Sequence, residues 1–358
     1  MPHKERYSLL TLLTLLTGFM ILSCSGEREP NSSREVAHND TELNRYQFES
    51  PHMGTLFRIT LYAANDSIAE RASEAAFIRI EELNGIMSDY LEDSELNQVS
   101  AASGSDEWQQ VSQDLFEVFQ HSLEVSEISD GAFDITVGPY VRIWREIRNN
   151  PTPRLPTEEE RTALAGRVGY QNLLLNRESG SVLLSEPQMQ LDLGGIAKGY
   201  ATQEALSVLN SYGISSALID GGGDITLGDP PAGREYWSIA VPAAGEEGTT
   251  GYLELFLANR TVATSGDLYQ FVEIDGIRYS HIIDPRTGLG VREQRLVTVI
   301  ADEGMDADGY ASALSVLGPE QGISLIEELE GMEARIEFHR NETIRSLESE
   351  GFSRYRSE

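Results

Sequence analysis

The chain has 358 residues, with 27 Lys and Arg set against 58 Asp and Glu, for a formal net charge of −31. That charge argues against nucleic acid as a partner, because a polyanion is repelled by so acidic a surface. The single cysteine, Cys24, excludes an internal disulfide, so an oxidising compartment carries no penalty for the fold.

Residues 1–23 read as a leader. Lys4 and Arg6 give a positive start, residues 9–22 are an apolar run too short for a membrane span, and Ser23 stands just before Cys24. A small residue ahead of the only cysteine is the pattern of a bacterial lipoprotein signal, with cleavage before Cys24 and acylation of its thiol. The plainer alternative is a secretory peptide or N-terminal anchor with an incidental cysteine. Residues 24–45 are polar, carry Pro30, Asn31, Ser32 and Ser33, and read as a flexible tether. A chain of that length spans roughly 25 Å, enough to hold a domain off a bilayer. The expected location is a bacterial membrane surface, lipid-anchored through Cys24 and facing the periplasm or cell exterior. The folded domain is expected over residues 46–345, with a C-terminal tail at 346–358.

Within the domain, residues 54–62 alternate as a strand, and 66–84 carry apolar residues at helical spacing. Residues 114–129 make a second helix. Asp130-Gly131 then turns into an expected strand, AFDITV, closed by Gly138-Pro139. Thr157 and Glu160 form a capping box for a further helix. Residues 173–185 read as a hairpin. From Gln190 the order is strand, Gly-Gly turn, helix, and a strand ALID ending in Gly221-Gly222-Gly223-Asp224. Strands follow at 236–241, 251–257 and 260–263, a hairpin over Asp275-Gly276, a strand LVTVIA, and helices at 308–317 and 320–329. The pattern predicts an α+β (mixed α/β) fold, with mixed sheets flanked by helices.

Residues 190–202, QLDLGGIAKGYAT, hold Lys198. The whole sequence has only two lysines, Lys4 and Lys198. A glycine turn leading into a helix N-terminus is a ready anion site, because free N–H groups and the helix dipole face whatever sits there. A lysine adds a point charge suited to phosphate. The plainer alternative is a tight turn with a surface lysine.

Five loops place polar residues and glycines where apolar strands end: 130–134, 192–195, 221–224, 264–267 and 281–288. Each has a structural alternative. Asp284-Pro285-Arg286-Thr287 suits a type I turn, Gly221-Gly222-Gly223 a tight turn, and Asp134 a loop cap. Together they point to one polar site at strand ends. Asp308 and Ser312, four apart, share a helix face. A carboxylate, a hydroxyl and nearby carbonyls are hard oxygen ligands of the kind Mg²⁺ uses beside phosphates. Their alternatives are a helix-terminal acid and a small packing residue. With no HExxH and no Cys/His cluster, zinc is disfavoured, and GGIAKGY lacks the order of a Walker A loop.

Eight segments, taken together, resemble a known family. MGT (53–55), MSDYLEDSELNQV (87–99), DGAFDITVGP (130–139), LDLGGIAKGYA (191–201), DGGGDI (220–225), TSGD (264–267), YSHIIDPRTG (279–288) and DGYASALSVLG (308–318) come in the order of the ApbE-type lipoproteins, the FAD:protein FMN transferases. The resemblance runs from Met53 to about residue 329. It implies a two-lobed catalytic domain with the site between lobes, FAD as substrate, and Mg²⁺. A threonine hydroxyl of a partner attacks the FMN-side phosphorus, AMP leaves, and FMN stays on the threonine. The partners it implies are acceptor flavoproteins with an Asp-Gly-x-Thr-like motif, such as subunits of membrane redox pumps.

Carried over by position, Met53, Tyr90, Ala132, Phe133 and Asp134 would line the flavin and adenosine parts of the site, joined by Thr264 and Ser265. Asp192 and Lys198 would hold FAD. The Gly195 carbonyl, Asp308 and Ser312 would bind Mg²⁺. His281 would be the base for the acceptor threonine, with Asp284 a second acid near the metal. The family usually has Thr at the place of Ser312, which keeps the ligating oxygen and loses a methyl. Gly309 stands where Ala is frequent, at a cost of up to about 1 kcal/mol. Two other activities fit the same residues: an FAD pyrophosphatase giving FMN and AMP, and a non-catalytic flavin-binding lipoprotein.

Overall fold

Strand and helix formation follows the apolar periods closely at 54–62, 66–84 and 114–129. The computed structural model describes residues 43–244, 250–267, 270–340 and 343–357. The leader and most of the tether expected over residues 1–45 lie outside the described residues. Strands β1 (Asn44–His52) and β2 (Thr55–Ala63) form a hairpin, followed by α1 (Asp66–Met87). Asn65 caps α1, its side chain accepting the Ile68 N–H at 3.0 Å. Next come α2 (Glu95–Ala101), the short β3 (Gln109–Gln110), α3 (Gln113–Ile128), α4 (Gly138–Arg148) and α5 (Glu158–Ala165). The capping box at Thr157 and Glu160 is formed, with both reciprocal bonds present.

Strands β4 (Leu173–Asn176) and β5 (Ser181–Leu184) make the expected hairpin, with β3 on its other side. Helix α6 (Ala197–Ser211) follows, then β6 (Ala217–Asp220), β7 (Asp224–Leu227), β8 (Trp237–Ala244), β9 (Thr250–Leu257) and β10 (Thr261–Gly266). The hairpin β11 (Phe271–Ile274) and β12 (Ile277–Ser280), and the short pair β13 (Ile283–Asp284) and β14 (Leu289–Gly290), lead to β15 (Arg295–Ala301). Helices α7 (Gly304–Leu317) and α8 (Pro319–Ile326) precede β16 (Glu333–Arg340) and β17 (Thr343–Glu348).

Eight strands build the main sheet in the order β1-β2-β6-β7-β10-β15-β16-β17. Sheet neighbours therefore follow chain order, with the remaining elements inserted between them. Every pairing is antiparallel, so the mixed sheets expected from sequence are antiparallel among the described strands. One face packs against α1, α3, α6 and α7 around Phe57, Ile59, Leu83, Phe119, Leu209 and Leu314. The other face is covered by the β8–β9 hairpin through Trp237, Ile239, Leu255 and Leu257. A third, smaller cluster joins α4 to the β11–β12 hairpin through Tyr140, Trp144, Ile147, Ile274 and Tyr279. Residues 42–358 form one compact unit, so the two expected lobes are a main core and this satellite.

Four expectations are corrected. AFDITV is not a strand: the Asp134 carboxylate takes the N–H groups of Thr136 (2.7 Å) and Tyr170 (2.8 Å) and folds the segment into turns. Gly138-Pro139 opens α4 instead of closing a strand, because proline needs no N–H partner in a first helical turn. The strand expected at Gln190 reduces to a single bridge with Val137. The C-terminal segment is also no loose tail. Strand β17 pairs with β16 as far as Arg335↔Glu348, and Phe352 is fully buried beside Leu257 and Ile300.

Candidate active site

Met53, Tyr90, Ala132, Phe133, Asp134, Asp192, Gly195, Lys198, Thr264, Ser265, His281, Asp308 and Ser312 all line one cleft of about 610 Å³ between the main core and the α4 satellite. Sheet register explains much of the convergence. Asp224, the last residue of the DGGGD turn, pairs with Ala263, so Thr264 and Ser265 emerge beside it at the strand ends. Lys198 enters from the first turn of α6, which packs behind the same strands.

Lys198 forms an ion pair with Asp224, whose side chain is only 2% exposed. The lysine is half-buried and reaches the cleft, so the plain surface-lysine alternative does not hold. Asp224 is a residue that sequence reasoning left without a role.

Helices α6 and α7 cross at two glycines. A Cβ on Gly199 would overlap the Gly304 carbonyl oxygen, and a Cβ on Gly304 would overlap that of Gly199. This close approach lets Asp308, buried at 5% exposure, accept the Gly199 N–H at 3.1 Å. Helix α7 begins at Gly304, so Asp308 lies in its second turn and is not a terminal dipole acid. One turn on, the Ser312 Oγ stands 3.5 Å from the Gly195 carbonyl oxygen. A Cβ on Gly195 would come within 2.6 Å of that hydroxyl, so only glycine leaves the space between them open. A carboxylate, a hydroxyl and a carbonyl are the donors Mg²⁺ accepts when substrate phosphates complete its shell. Among the described residues no group of three His, Cys, Asp or Glu side chains could hold a metal by itself.

At the other end of the cleft, Arg145 of α4 lies over the Tyr90 ring, 4.3 Å from its centre. The guanidinium also pairs with Asp89 and, at 3.1 Å, with Asp192. Asp192 accepts the Gly194 N–H at 2.8 Å, which fixes the glycine turn before α6. Burial and the Asp89 carboxylate push the Asp192 carboxyl up, against the pull of Arg145. Tyr90 is 76% exposed, a large aromatic surface presented at the cleft rim. Both Asp134 oxygens are engaged in the loop, so the loop-cap alternative describes its side chain. Burial pushes its carboxyl up as well. Met53 has φ +48° in the β1–β2 turn, a backbone region that favours Asn or Gly at this position. Strain of this kind accumulates at ligand-contacting positions.

His281 anchors its ring through Nδ1, 3.1 Å from the Gln270 carbonyl oxygen. A carbonyl only accepts, so Nδ1 carries the hydrogen and Nε2 keeps its lone pair. Asp284 does not line the cleft. Its carboxylate is held by Arg286, from Nε at 2.9 Å and the backbone N–H at 3.0 Å, and its carbonyl accepts from Gly288. Its expected role as an acid near the metal is therefore corrected to that of a turn residue. The turn is fixed to α4 by Trp144, whose Nε1 donates to the Gly288 carbonyl at 2.9 Å.

The sequence model of the ApbE family matches residues 53–336. The chain belongs to the ApbE family. It is 33% identical over 297 residues to a FAD:protein FMN transferase of Vibrio cholerae, an alignment covering 82% of this chain and 87% of that protein. A FAD:protein FMN transferase of Treponema pallidum is 30% identical over 297 residues, covering 79% and 81%. Among solved structures, the flavin transferase ApbE from Vibrio cholerae superposes with a TM-score of 0.79 at 28% identity, covering 87% of this chain and 99% of that one. The α+β class expected from sequence is thus the ApbE fold.

Against that ApbE frame, sequence reasoning missed Asp89, Arg145, Arg148, Asp224 and Gln270. Asp89 and Asp224 stood inside quoted motifs, next to residues that drew attention for their type. Arg145 and Arg148 carry no local signal, because the sequence assigns no element to 140–148 once Gly138-Pro139 is taken to close a strand. Among the described residues the cleft is lined by three cations, Arg145, Arg148 and Lys198, in a chain of net charge −31. Asp134, Asp192 and Asp308 line it too, so the charge an anionic ligand meets there is mixed and depends on which cation it reaches.

Proposed function

We propose that this chain transfers FMN from FAD to a threonine hydroxyl of an acceptor flavoprotein, with release of AMP. The observation that carries the reading is the meeting of Lys198, Asp308 and His281 in one cleft of an ApbE-family chain. Phosphoryl transfer asks the protein for position, charge neutralisation and a base. Lys198 and the nearby guanidinium groups neutralise the pyrophosphate. Tyr90 and Phe133 offer aromatic surface to the flavin or adenine. The hydroxyl oxygen bonds to the FMN-side phosphorus, the bond from that phosphorus to the AMP phosphate oxygen breaks, and the hydroxyl proton passes to His281 Nε2.

Magnesium belongs to the same proposal, held by the Gly195 carbonyl, Asp308 and Ser312. Bound there, it supplies positive charge to the phosphate oxygens. The acceptor's Asp-Gly-x-Thr-like motif, its place in a membrane redox pump, and the anchoring of this chain through Cys24 rest on the family and on the leader sequence. Among the described residues no helix is long and apolar enough to cross a membrane.

The test is incubation with FAD, Mg²⁺ and a threonine-motif acceptor. The expected result is an acceptor heavier by one FMN, with AMP released in step. Rapid AMP release with an unmodified acceptor would assign the chain to FAD hydrolysis instead.

The pH profile follows from His281. Burial, and secondarily the charges of Arg148 and Lys198, hold the imidazole below the ordinary 6.5. The working base is the neutral ring, so activity is lost as pH falls through the lowered value. The transfer rate should be level at neutral pH and fall tenfold per unit on an acid limb centred below 6.5. His281→Gln should remove that limb and slow transfer by roughly 10²–10⁴-fold. An acid limb unchanged in the variant would assign it to another group.

A further inference from the structure

Among the described residues three cations line the cleft, and two of them are already matched. Lys198 pairs with Asp224, and Arg145 pairs with Asp89 and Asp192. Arg148, the last residue of α4, has no carboxylate partner among the described residues, and its Nη1 is buried with no hydrogen-bond acceptor. A buried guanidinium N–H without an acceptor is a costly arrangement. The cost disappears when a ligand brings an oxyanion, since the guanidinium fork matches two phosphoryl oxygens.

Position narrows the choice of oxyanion. Arg148 and His281 line the same cleft from elements packed on each other: Trp144, one turn before Arg148 on α4, lies 5.5 Å from the ring of Tyr279, two residues before His281. The base must stand beside the phosphorus that the hydroxyl attacks. We propose that Arg148 binds the FMN-side phosphoryl group of the dinucleotide and stays on it during transfer. This rests on the FMN-transfer reading above. The phosphoryl oxygens carry the charge that Arg148 meets, so its contribution depends on the phosphate and not on the isoalloxazine ring.

The competing account is purely structural. Arg148 ends a helix, where a cation favours the dipole of α4. Binding measurements separate the two. FAD, FMN and riboflavin share the ring system, and riboflavin lacks the phosphate. Arg148→Gln is expected to weaken FAD and FMN binding tenfold or more while leaving riboflavin affinity within twofold. Arg148→Lys keeps the charge without the fork and is expected to recover part of the loss. In turnover, Arg148→Gln should lower kcat as well as raise the KM for FAD. An unchanged FMN-to-riboflavin affinity ratio, with or without a lower melting temperature, would overturn the proposal in favour of the helix-end role. A wild-type chain that binds neither FAD nor FMN would instead refute the FMN-transfer reading, and this inference with it.

Discussion

Asp308→Ala is expected to abolish FMN transfer, by about a thousandfold or more in kcat. The carboxylate is buried, and one of its oxygens is committed to the Gly199 N–H. The remaining oxygen is the only anionic donor that the proposed metal site offers, beside the neutral Ser312 hydroxyl and Gly195 carbonyl. Removing it takes away both the charge that would hold Mg²⁺ and an acceptor for a buried amide. The orphaned Gly199 amide should cost about 1–3 kcal/mol of stability. Asp308→Asn separates the effects. Its side-chain oxygen can still accept from Gly199, so folding should be near wild type while Mg²⁺ dependence is lost. Both variants are to be measured by acceptor mass gain across a Mg²⁺ titration, alongside urea unfolding. Transfer at the wild-type rate by either variant would remove Asp308 from the mechanism.

Lys198→Ala should be equally inactive, and it should also be less stable. Asp224 is buried, and Lys198 is the charge that compensates it. A buried carboxylate stripped of its partner costs several kcal/mol in general. The lysine here is 28% exposed, and water can reach the gap, so a loss of about 1–3 kcal/mol is expected. Lys198→Ala with Asp224→Asn removes the unpaired charge and should recover most of the stability while remaining inactive. A double variant no more stable than Lys198→Ala would mean that Asp224 needs no counter-charge. Transfer at the wild-type rate by Lys198→Ala would show that the lysine does not hold the phosphates.

The site was legible where its chemistry is local. Glycine-acid corners at 221–224 and 264–267 marked strand ends, and antiparallel register brings those ends together, while the corner at 192–195 leads into α6. The helix period placed Asp308 and Ser312 on one face. The hairpin over Asp275-Gly276 was legible because its turn residues are distinctive. What failed was punctuation that serves two grammars. Gly-Pro can close a strand or open a helix, and only the Asp134 bonds that fold the preceding segment decide for α4. Asp284 was weighed for its charge, whereas its own turn and Arg286 consume that charge. The eight-strand order was out of reach, because β2 pairs with β6 across about 150 intervening residues, a separation that no local pattern encodes.

The scarcity of lysine turns the cleft into its own reporter. Beyond Lys4 the sequence offers one ε-amine, that of Lys198, partly open at the cleft and beside Asp224. An amine-acylating reagent therefore has a single side chain to modify in the folded domain. Occupancy of the cleft shields that amine, so a dinucleotide that binds should slow the appearance of one acyl adduct. The unlabelled chain can be footprinted this way without following flavin colour or turnover.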